Sequence, residues 1–232
     1  MFEKLLIANR GEIACRIIRT CNRLGIKTVA VYSKADEKAL HVRMADEAYS
    51  IGPAPAKSSY LNIKQIMKVA KRARVDAVHP EYGFLSENPA FINAVKSENI
   101  TFIGPSEDLI SKLGNKVLAR ELAERAKLPV VPATPGNLSD EQLINAAGNV
   151  GYPLMVKAVN GGGGMGIRLV EKPEVLPESL EKARTQAQNA FGDRDVYLER
   201  FVAGASHVEV QILGDHHGNL IHMFERDCSL QR

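Results

Sequence analysis

The order of apolar runs over residues 1–105 leaves few folds open. "KLLIAN" (Lys4–Asn9) is a short apolar run that stops at Arg10, Gly11 and Glu12, as a buried strand stops at a turn. "EIACRIIRTCNRLG" then sets Ile13, Ile17, Ile18, Cys21 and Leu24 at helical spacing and closes on Gly25. "IKTVAVYS" (Ile26–Ser33) is a second strand. Strand, helix and strand within about 30 residues make a right-handed βαβ unit with parallel strands. The alternation continues with a helix in "YLNIKQIMKVAKRARV", a strand in "DAVHP", a helix in "PAFINAVKSENI" and a strand in "TFIGP". The expectation is α/β: an open, parallel, Rossmann-like sheet, whose ligands favour the carboxyl ends of the strands. A nicotinamide-dependent redox protein is one reading that such a sheet leaves open. Against it, the first turn "ANRGEIA" lacks G-x-G-x-x-G, and no acid at the end of the second strand is clearly placed for a ribose.

"SEDLISKLGNKVLARELAERAK" reads as one or two helices with a break near Gly114. "LPVVPATPGN" (Leu128–Asn137) follows, a Pro/Gly-rich joint and a boundary candidate. The pattern then changes. "SDEQLINAAGNV" is a helix with Ser139 or Asp140 as its N-cap. "YPLMVKAV" and "GIRLVE" are strands on either side of a glycine run, "PEVLPESLEKARTQAQNAF" is mostly helix, and "DVYLERFVAG" is a strand. "HVEVQIL" puts Val208, Val210 and Ile212 on one face, turns at "GDHHGN" and returns in "LIHMFERDCSL", a hairpin.

The glycines Gly161–Gly164, with Gly166 beyond Met165, admit two readings: a flexible linker or a lid over a phosphate. Linkers join domains and are polar on both sides. This run is flanked by strands, the spacing of a β-hairpin with a long tip. Glycines there let backbone N–H groups point at an anion with no Cβ in the way. Lys157, near the end of the incoming strand, adds a positive charge. There is no GxxxxGK[ST], and the run lies between strands rather than opening a helix, so neither familiar phosphate motif applies.

Composition removes other classes. With 232 residues, 45% hydrophobic and 25% charged, the chain can build one large domain or two small ones. Its net charge of +3 is spread among acids, unlike the basic stripe of a nucleic-acid binder. No segment reads as a signal peptide, and no run approaches the ~20 apolar residues of a membrane span. Cys15, Cys21 and Cys228 form no CxxC pair, which argues for a reducing, cytoplasmic setting rather than a disulfide framework. His216-His217 lie in a tight polar turn, and no metal site is expected there. His79, before Pro80, belongs to a loop at a strand end.

The strings "IANRGEIA" (Ile7–Ala14), "ADEA" (Ala45–Ala48), "IGPAP" (Ile51–Pro55), "SYLN" (Ser59–Asn62), "YGFLSEN" (Tyr82–Asn88), "FIGP" (Phe102–Pro105), "GNK" (Gly114–Lys116), "VKAVNGGGG" (Val156–Gly164) and "HVEVQ…ERDCSLQR" (His207–Arg232) occur in this order. Together they make the chain resemble biotin carboxylase, the ATP-grasp component of acetyl-CoA carboxylase, pyruvate carboxylase and related enzymes. The resemblance implies a pre-ATP-grasp α/β domain at 1–113, a helical linker at 114–132, an α+β ATP-grasp lid at 133–203, and the first hairpin of a truncated catalytic domain at 204–232. It implies an ATP-dependent ligase that phosphorylates bicarbonate to carboxyphosphate and carboxylates biotin.

By the same resemblance, Lys116 and Lys157 contact phosphates, and Gly162, Gly163 and Gly164 belong to the lid tip. Glu199, Arg200, Phe201 and Val202 form the hinge whose backbone reads the adenine edge, and His207 lies on the nucleotide site. ATP with Mg²⁺, biotin and bicarbonate are implied, with biotin carboxyl carrier and carboxyltransferase components as partners and a homodimer as an option. Neither nucleic acid nor a membrane is expected as a partner. The family's Mg²⁺ and bicarbonate residues follow the matched region, so no metal ligand and no confirmed catalytic residue is expected here. The chain is accordingly expected to be an N-terminal fragment, inactive alone. The alternative is a non-catalytic nucleotide-binding or assembly module that pairs with a separate C-terminal half. Two positions depart from the family pattern: Glu81 stands where glycine is common, and Met165 where Arg or Lys is usual.

Overall fold

A computed structural model describes residues 2–160, 167–215 and 217–230. It falls into two compact units, Met1–Leu128 and Pro129–Arg232.

The first unit runs β1 (Lys4–Ile7), α1 (Gly11–Leu24), β2 (Lys27–Ser33), α2 (Leu40–Met44), β3 (Glu47–Gly52), α3 (Ile63–Ala73), β4 (Ala77–His79), α4 (Pro89–Ser97), β5 (Thr101–Phe102), α5 (Glu107–Gly114) and α6 (Lys116–Arg125). Its sheet has five strands in the order β3-β2-β1-β4-β5, all parallel. This is the expected open sheet, with one strand more than the apolar runs announced. In β3, "EAYSIG", only Ile51 is buried, so the strand shows no apolar alternation. It is an edge strand, held by backbone pairing to β2 and by Glu47 accepting from Lys4 Nζ at 2.7 Å.

Side chains alternate across the central strands. Leu6, Val29, Val31 and Val78 pack with Ile66, Met67, Phe91, Ile92 and Val95 of α3 and α4. Leu5, Ile7 and Ala77 pack on the other face with Ala14, Ile17, Ile18 and Cys21 of α1. Of the apolar stripe of α1 read from the sequence, Ile17, Ile18 and Cys21 thus face the sheet, while Leu24, the last helical residue, is 56% exposed. Gly25 ends α1 at φ +70°, the left-handed position glycine adopts without a Cβ clash. The break near Gly114 separates two helices. Asn115 caps α6, its side-chain oxygen accepting from the N–H groups of Val117 and Leu118 at 3.0 Å each.

The second unit holds α7 (Asp140–Val150), β6 (Leu154–Ala158), β7 (Ile167–Val170), α8 (Leu176–Phe191), β8 (Val196–Arg200), β9 (Val208–Gly214) and β10 (Leu220–Asp227). β6 lies centrally in an antiparallel sheet of order β7-β6-β8. Ser139 opens α7 with a capping box, its hydroxyl accepting from Gln142 N–H while the Gln142 side chain accepts from Ser139 N–H. Leu154, Val156, Val170, Val196 and Leu198 form the buried face, packed on Leu143, Ala147, Leu176, Leu180 and Ala183 of the two helices. The β9–β10 hairpin forms a sheet of its own, and its apolar residues are exposed on both faces, from Ile212 at 48% to Leu220 and Phe224 at 71%.

Leu154 is fully buried at the centre of the second unit's core. Leu154→Ala is expected to cost about 2–5 kcal/mol of unfolding free energy, because the packed core closes only partly over the lost atoms. Urea denaturation followed by circular dichroism checks it.

Candidate functional site

The second unit's sheet has a helix-facing side and an open side. Register pairs Lys157 with Ile167 and Tyr197, and Met155 with Leu169 and Glu199. Because side chains alternate, all of these lie on the side away from the helices, where Leu169 is exposed, Met155, Lys157, Ile167 and Glu199 are half-buried and Tyr197 is fully buried. Lys157 Nζ donates to a Glu199 carboxylate oxygen, and Tyr197 Oη donates to the other oxygen at 3.3 Å. The pair is largely shielded, with 21% and 16% of the two side chains exposed. Met155, Ile167 and Leu169 supply apolar surface beside it. The face thus combines an apolar patch with one cation and one anion at the end of β6, next to the glycine run.

Of the other residues singled out from the sequence, Arg200 points to the helix side, its Nε donating to Val150 carbonyl at 2.8 Å. The outer edge of β8 is not bare here. Thr134 N–H donates to Leu198 carbonyl and Arg200 N–H to Pro132 carbonyl, each at 2.8 Å, while on the β6 side Phe201 N–H donates to Pro153 carbonyl at 3.0 Å. Val202, just past the strand and half exposed, donates to nothing among the described residues. In the 199–202 segment, Val202 is the position whose N–H remains open to a ligand. His207 is exposed at the base of the hairpin, its N–H donating to Ser229 Oγ at 2.9 Å. Lys116, half-buried, is the first residue of α6 and belongs to the first unit. Gly162, Gly163, Gly164 and Met165 lie outside the described residues. Lys157 and Glu199 are thus in direct contact, a pairing that sequence spacing of more than 40 residues does not reveal.

In the first unit, a cavity of about 400 Å³ lies beyond the carboxyl ends of β4 and β5, lined by Glu81, Tyr82, Ser86, Glu87, Leu109 and Leu113 among others. The turn beside it is conformationally tight: Glu81, Gly83 and Phe84 have φ of +64°, +67° and +41°. Glu81, which stands where the family pattern commonly has glycine, thus occupies a left-handed position.

The first βα turn, where a dinucleotide fold would place its pyrophosphate, is filled by the protein itself. Asp36, in the turn after β2, accepts from Tyr60 Oη at 2.7 Å, Ser33 Oγ at 2.8 Å and Arg10 at 3.2 Å. Arg10 also lies over the rings of Tyr60 and Phe84, at 5.3 and 5.7 Å. Burial pushes the Asp36 carboxyl up, but the three hydrogen bonds and the Arg10 charge outweigh it, and the net shift is downward. Burial and the Asp36 carboxylate push the Tyr60 hydroxyl up to about 12. Gly11 N–H, at the start of α1, faces His41 Nδ1 at 3.4 Å. The acid that follows the second strand, Asp36, has its oxygens already engaged and so is not placed for a ribose. Among the described residues, no group of three or more His, Cys, Asp or Glu could hold a metal ion. No helix among them is long and apolar enough to cross a membrane.

Comparison with known proteins adds to this geometry. Residues 1–110 match the family model described as biotin carboxylase, N-terminal domain, and residues 115–232 match carbamoyl-phosphate synthase L chain, ATP binding domain. Biotin carboxylase 2 of Bacillus subtilis is 54% identical over 233 residues, covering 100% of this chain and 52% of the relative. The mitochondrial methylcrotonoyl-CoA carboxylase subunit alpha of Rattus norvegicus is 52% identical, covering 99% of this chain and 32% of the relative. The chain therefore spans about half the length, or less, of these relatives. The biotin carboxylase domain dimer of Hydrogenobacter thermophilus 2-oxoglutarate carboxylase, solved with MgADP, ADP and bicarbonate, superposes with a TM-score of 0.95 at 47% identity, covering 100% of this chain and 51% of that one. The biotin carboxylase–beta-gamma-ATP complex of Campylobacter jejuni gives 0.96 at 43%, covering 100% and 52%.

The Asp36 network has a measurable signature. A depressed carboxyl contributes stability above its unfolded value near 3.9 and loses it as pH falls through the folded value. Asp36→Asn is expected to cost about 1–3 kcal/mol at neutral pH. The difference from the parent should shrink below pH 4 in thermal melts run across pH 2–7.

Proposed function

The chain belongs to the biotin carboxylase family, and from that premise we propose that its second unit is the lid of an ATP-grasp ligase, a nucleotide lying on the open face of the β7-β6-β8 sheet. The observation that carries this is the Lys157–Glu199 pair set beside Met155, Ile167 and Leu169. Adenine needs an apolar slot with polar groups at its edge, and phosphates need fixed positive charge.

In this reading Lys157 holds and orients phosphate oxygens. An ammonium carries three N–H donors, so Nζ can keep its bond to Glu199 while donating to a phosphate. Glu199 in turn holds the lysine in place, which limits the reorganisation needed when charge develops on a transferring phosphoryl group. The open Val202 N–H supports an adenine-edge contact at the end of β8. Arg200 is a positioning residue, fixing the strand to α7 through Val150 carbonyl. Lys116 supplies a second phosphate cation, the backbone of Gly162, Gly163 and Gly164 closes over the phosphates, and His207 borders the nucleotide.

The whole reaction proposed is that of the family. A bicarbonate oxygen attacks the γ-phosphorus of ATP and ADP leaves; the resulting carboxyphosphate then loses inorganic phosphate as its CO2 unit bonds to a ureido nitrogen of biotin, which gives up its proton. The biotin would be presented by a carrier and passed to a carboxyltransferase, in a cytoplasmic setting. The relatives' structures with MgADP and bicarbonate support those ligand classes. No residue of this chain is proposed to hold the Mg²⁺, and no step is routed through it. We divide the chain into a 1–113 α/β domain, a 114–132 helical linker, a 133–203 lid and a 204–232 opening of the catalytic domain. These residues alone are proposed to bind nucleotide weakly and not to turn over. A second reading, an assembly module pairing with a separate polypeptide, is favoured by one observation: the β9–β10 hairpin is apolar and exposed on both faces.

Isothermal titration with ADP and ATP tests the site. Lys157→Gln is expected to weaken binding about tenfold or more, the size of a lost charge-assisted hydrogen bond. Equal affinity in the parent and variant would remove Lys157 from the site. ADP release from MgATP, with and without bicarbonate and biotin, is expected to stay at background. Bicarbonate-dependent release would overturn the inactive-alone reading.

A further inference from the structure

The turn after β4 contains a buried acid that the nucleotide reading does not use. Glu81 sits at φ +64°, a conformation that residues with side chains seldom adopt. Its side chain is only 1% exposed, and Oε1 is buried with no hydrogen-bond partner. Oε2 lies 3.9 Å from the Arg16 guanidinium, beyond hydrogen-bond reach, and the Arg16 side chain is 55% exposed. The Glu81 N–H donates to His79 Nδ1 at 3.2 Å. The next residue, Tyr82, donates its hydroxyl to Glu12 at 3.2 Å and lines the cavity described above.

A carboxylate with a bare oxygen in an apolar setting is unfavourable, whereas a neutral carboxyl there costs far less. The groups that face Glu81 do little to change this. From α1 come Arg16, Glu12 and the buried Cys21, and from β4 comes His79. Of these only Arg16 favours the charged form, and it stands largely in solvent. Burial pushes the Glu81 carboxyl up to about 7, with Arg16 opposing and Glu12 adding. Burial and then Arg16 push His79 down to about 4, so it is uncharged near neutrality. The Cys21 thiol is pushed up by burial and then by Glu81 itself.

We propose that Glu81 is a proton-operated latch on the Tyr82–Phe84 turn: the neutral carboxyl stays beneath the turn, and the ionised one leaves it, drawing Tyr82 from Glu12 and reshaping the cavity. The exit path is rotation of Glu81 out of the left-handed region, which breaks its N–H bond to His79 and brings the carboxylate to Arg16 in solvent. Ionisation therefore works against the contacts that hold the turn, Asn9 Nδ2 donating to the Pro80 and Tyr82 carbonyls at 3.1 and 2.9 Å and Phe84 stacked on Tyr60 at 5.0 Å. This device rests on the first unit alone and needs no nucleotide.

The test is carbon-13 NMR on the full chain from pH 5 to 9, reading the Glu81 carboxyl and the Tyr82 ring, with hydrogen exchange at the Glu81 and Tyr82 amides. The expected result is one shared midpoint near 7 for both signals. Exchange should rise at least tenfold across that midpoint, and Glu81→Gln should abolish the Tyr82 transition while the chain stays folded. Arg16→Gln should move the midpoint upward. A Tyr82 signal that stays flat while Glu81 titrates would mean Arg16 closes on the carboxylate in place, and overturns the latch. So does a Tyr82 transition unchanged in Glu81→Gln. No nucleotide enters the readout, so the result stands apart from the lid proposal.

Discussion

Burial of β1 on both faces is the constraint from which the first unit follows. Leu5 and Ile7 face α1, while Leu6 faces α3 and α4, and none of the three is more than 3% exposed. A strand covered on both sides cannot return by a tight hairpin, because a helix must cross back before each neighbour. Parallel pairing to β2 and β4 follows, and every strand then ends on the same side of the sheet. The Asp36 network and the cavity near Tyr82 both arise at those ends. Such loops carry fewer packing demands than the strands and can hold unusual backbone and unusual charge.

The second unit solves a different problem. Its antiparallel sheet packs helices on one face and leaves the other open, so successive residues of β6 do opposite work. Leu154, Val156 and Ala158 are buried among the helices and their neighbours, while Met155 and Lys157 look outward. A slip of one residue would bury Lys157 and expose Val156. The register that makes the core therefore also sets the cation on the open face. Fold and site are one decision here, and the cross-strand neighbour Glu199 is delivered by the same pairing.

That difference explains what the sequence made legible. Elements with a strong apolar period, such as α1 and β6, were readable because burial writes the period. β3 was not, because an edge strand gains its place from backbone pairing, which leaves little trace in side chains such as Glu47 and Ser50. Lys157 is legible from its place beside the glycine run and Glu199 through motif resemblance, but their contact is not, because it depends on strand order rather than spacing. Asp36 is illegible for a related reason. Nothing local distinguishes an acid that meets Arg10 and Tyr60, 26 and 24 residues away, from a solvated one.

Asp36 and Glu81 show how far environment outweighs residue type. Each lies in a loop following a strand of the same sheet, and each has an arginine from the α1 region nearby. Burial pushes both carboxyls up. For Asp36, Tyr60, Ser33 and Arg10 all donate within hydrogen-bond range, and the charged form prevails. For Glu81, the arginine stops at 3.9 Å and one oxygen meets nothing, so burial prevails. The outcome turns on donors within reach rather than on net charge. A satisfied carboxylate behaves as a fixed strut, tying the end of β2 to Tyr60. An unsatisfied one leaves its loop with two nearly balanced states, and a backbone already in the left-handed region narrows the gap between them. Rigidity at one loop and bistability at the next can therefore come from the same acid chemistry, separated only by the count of hydrogen bonds.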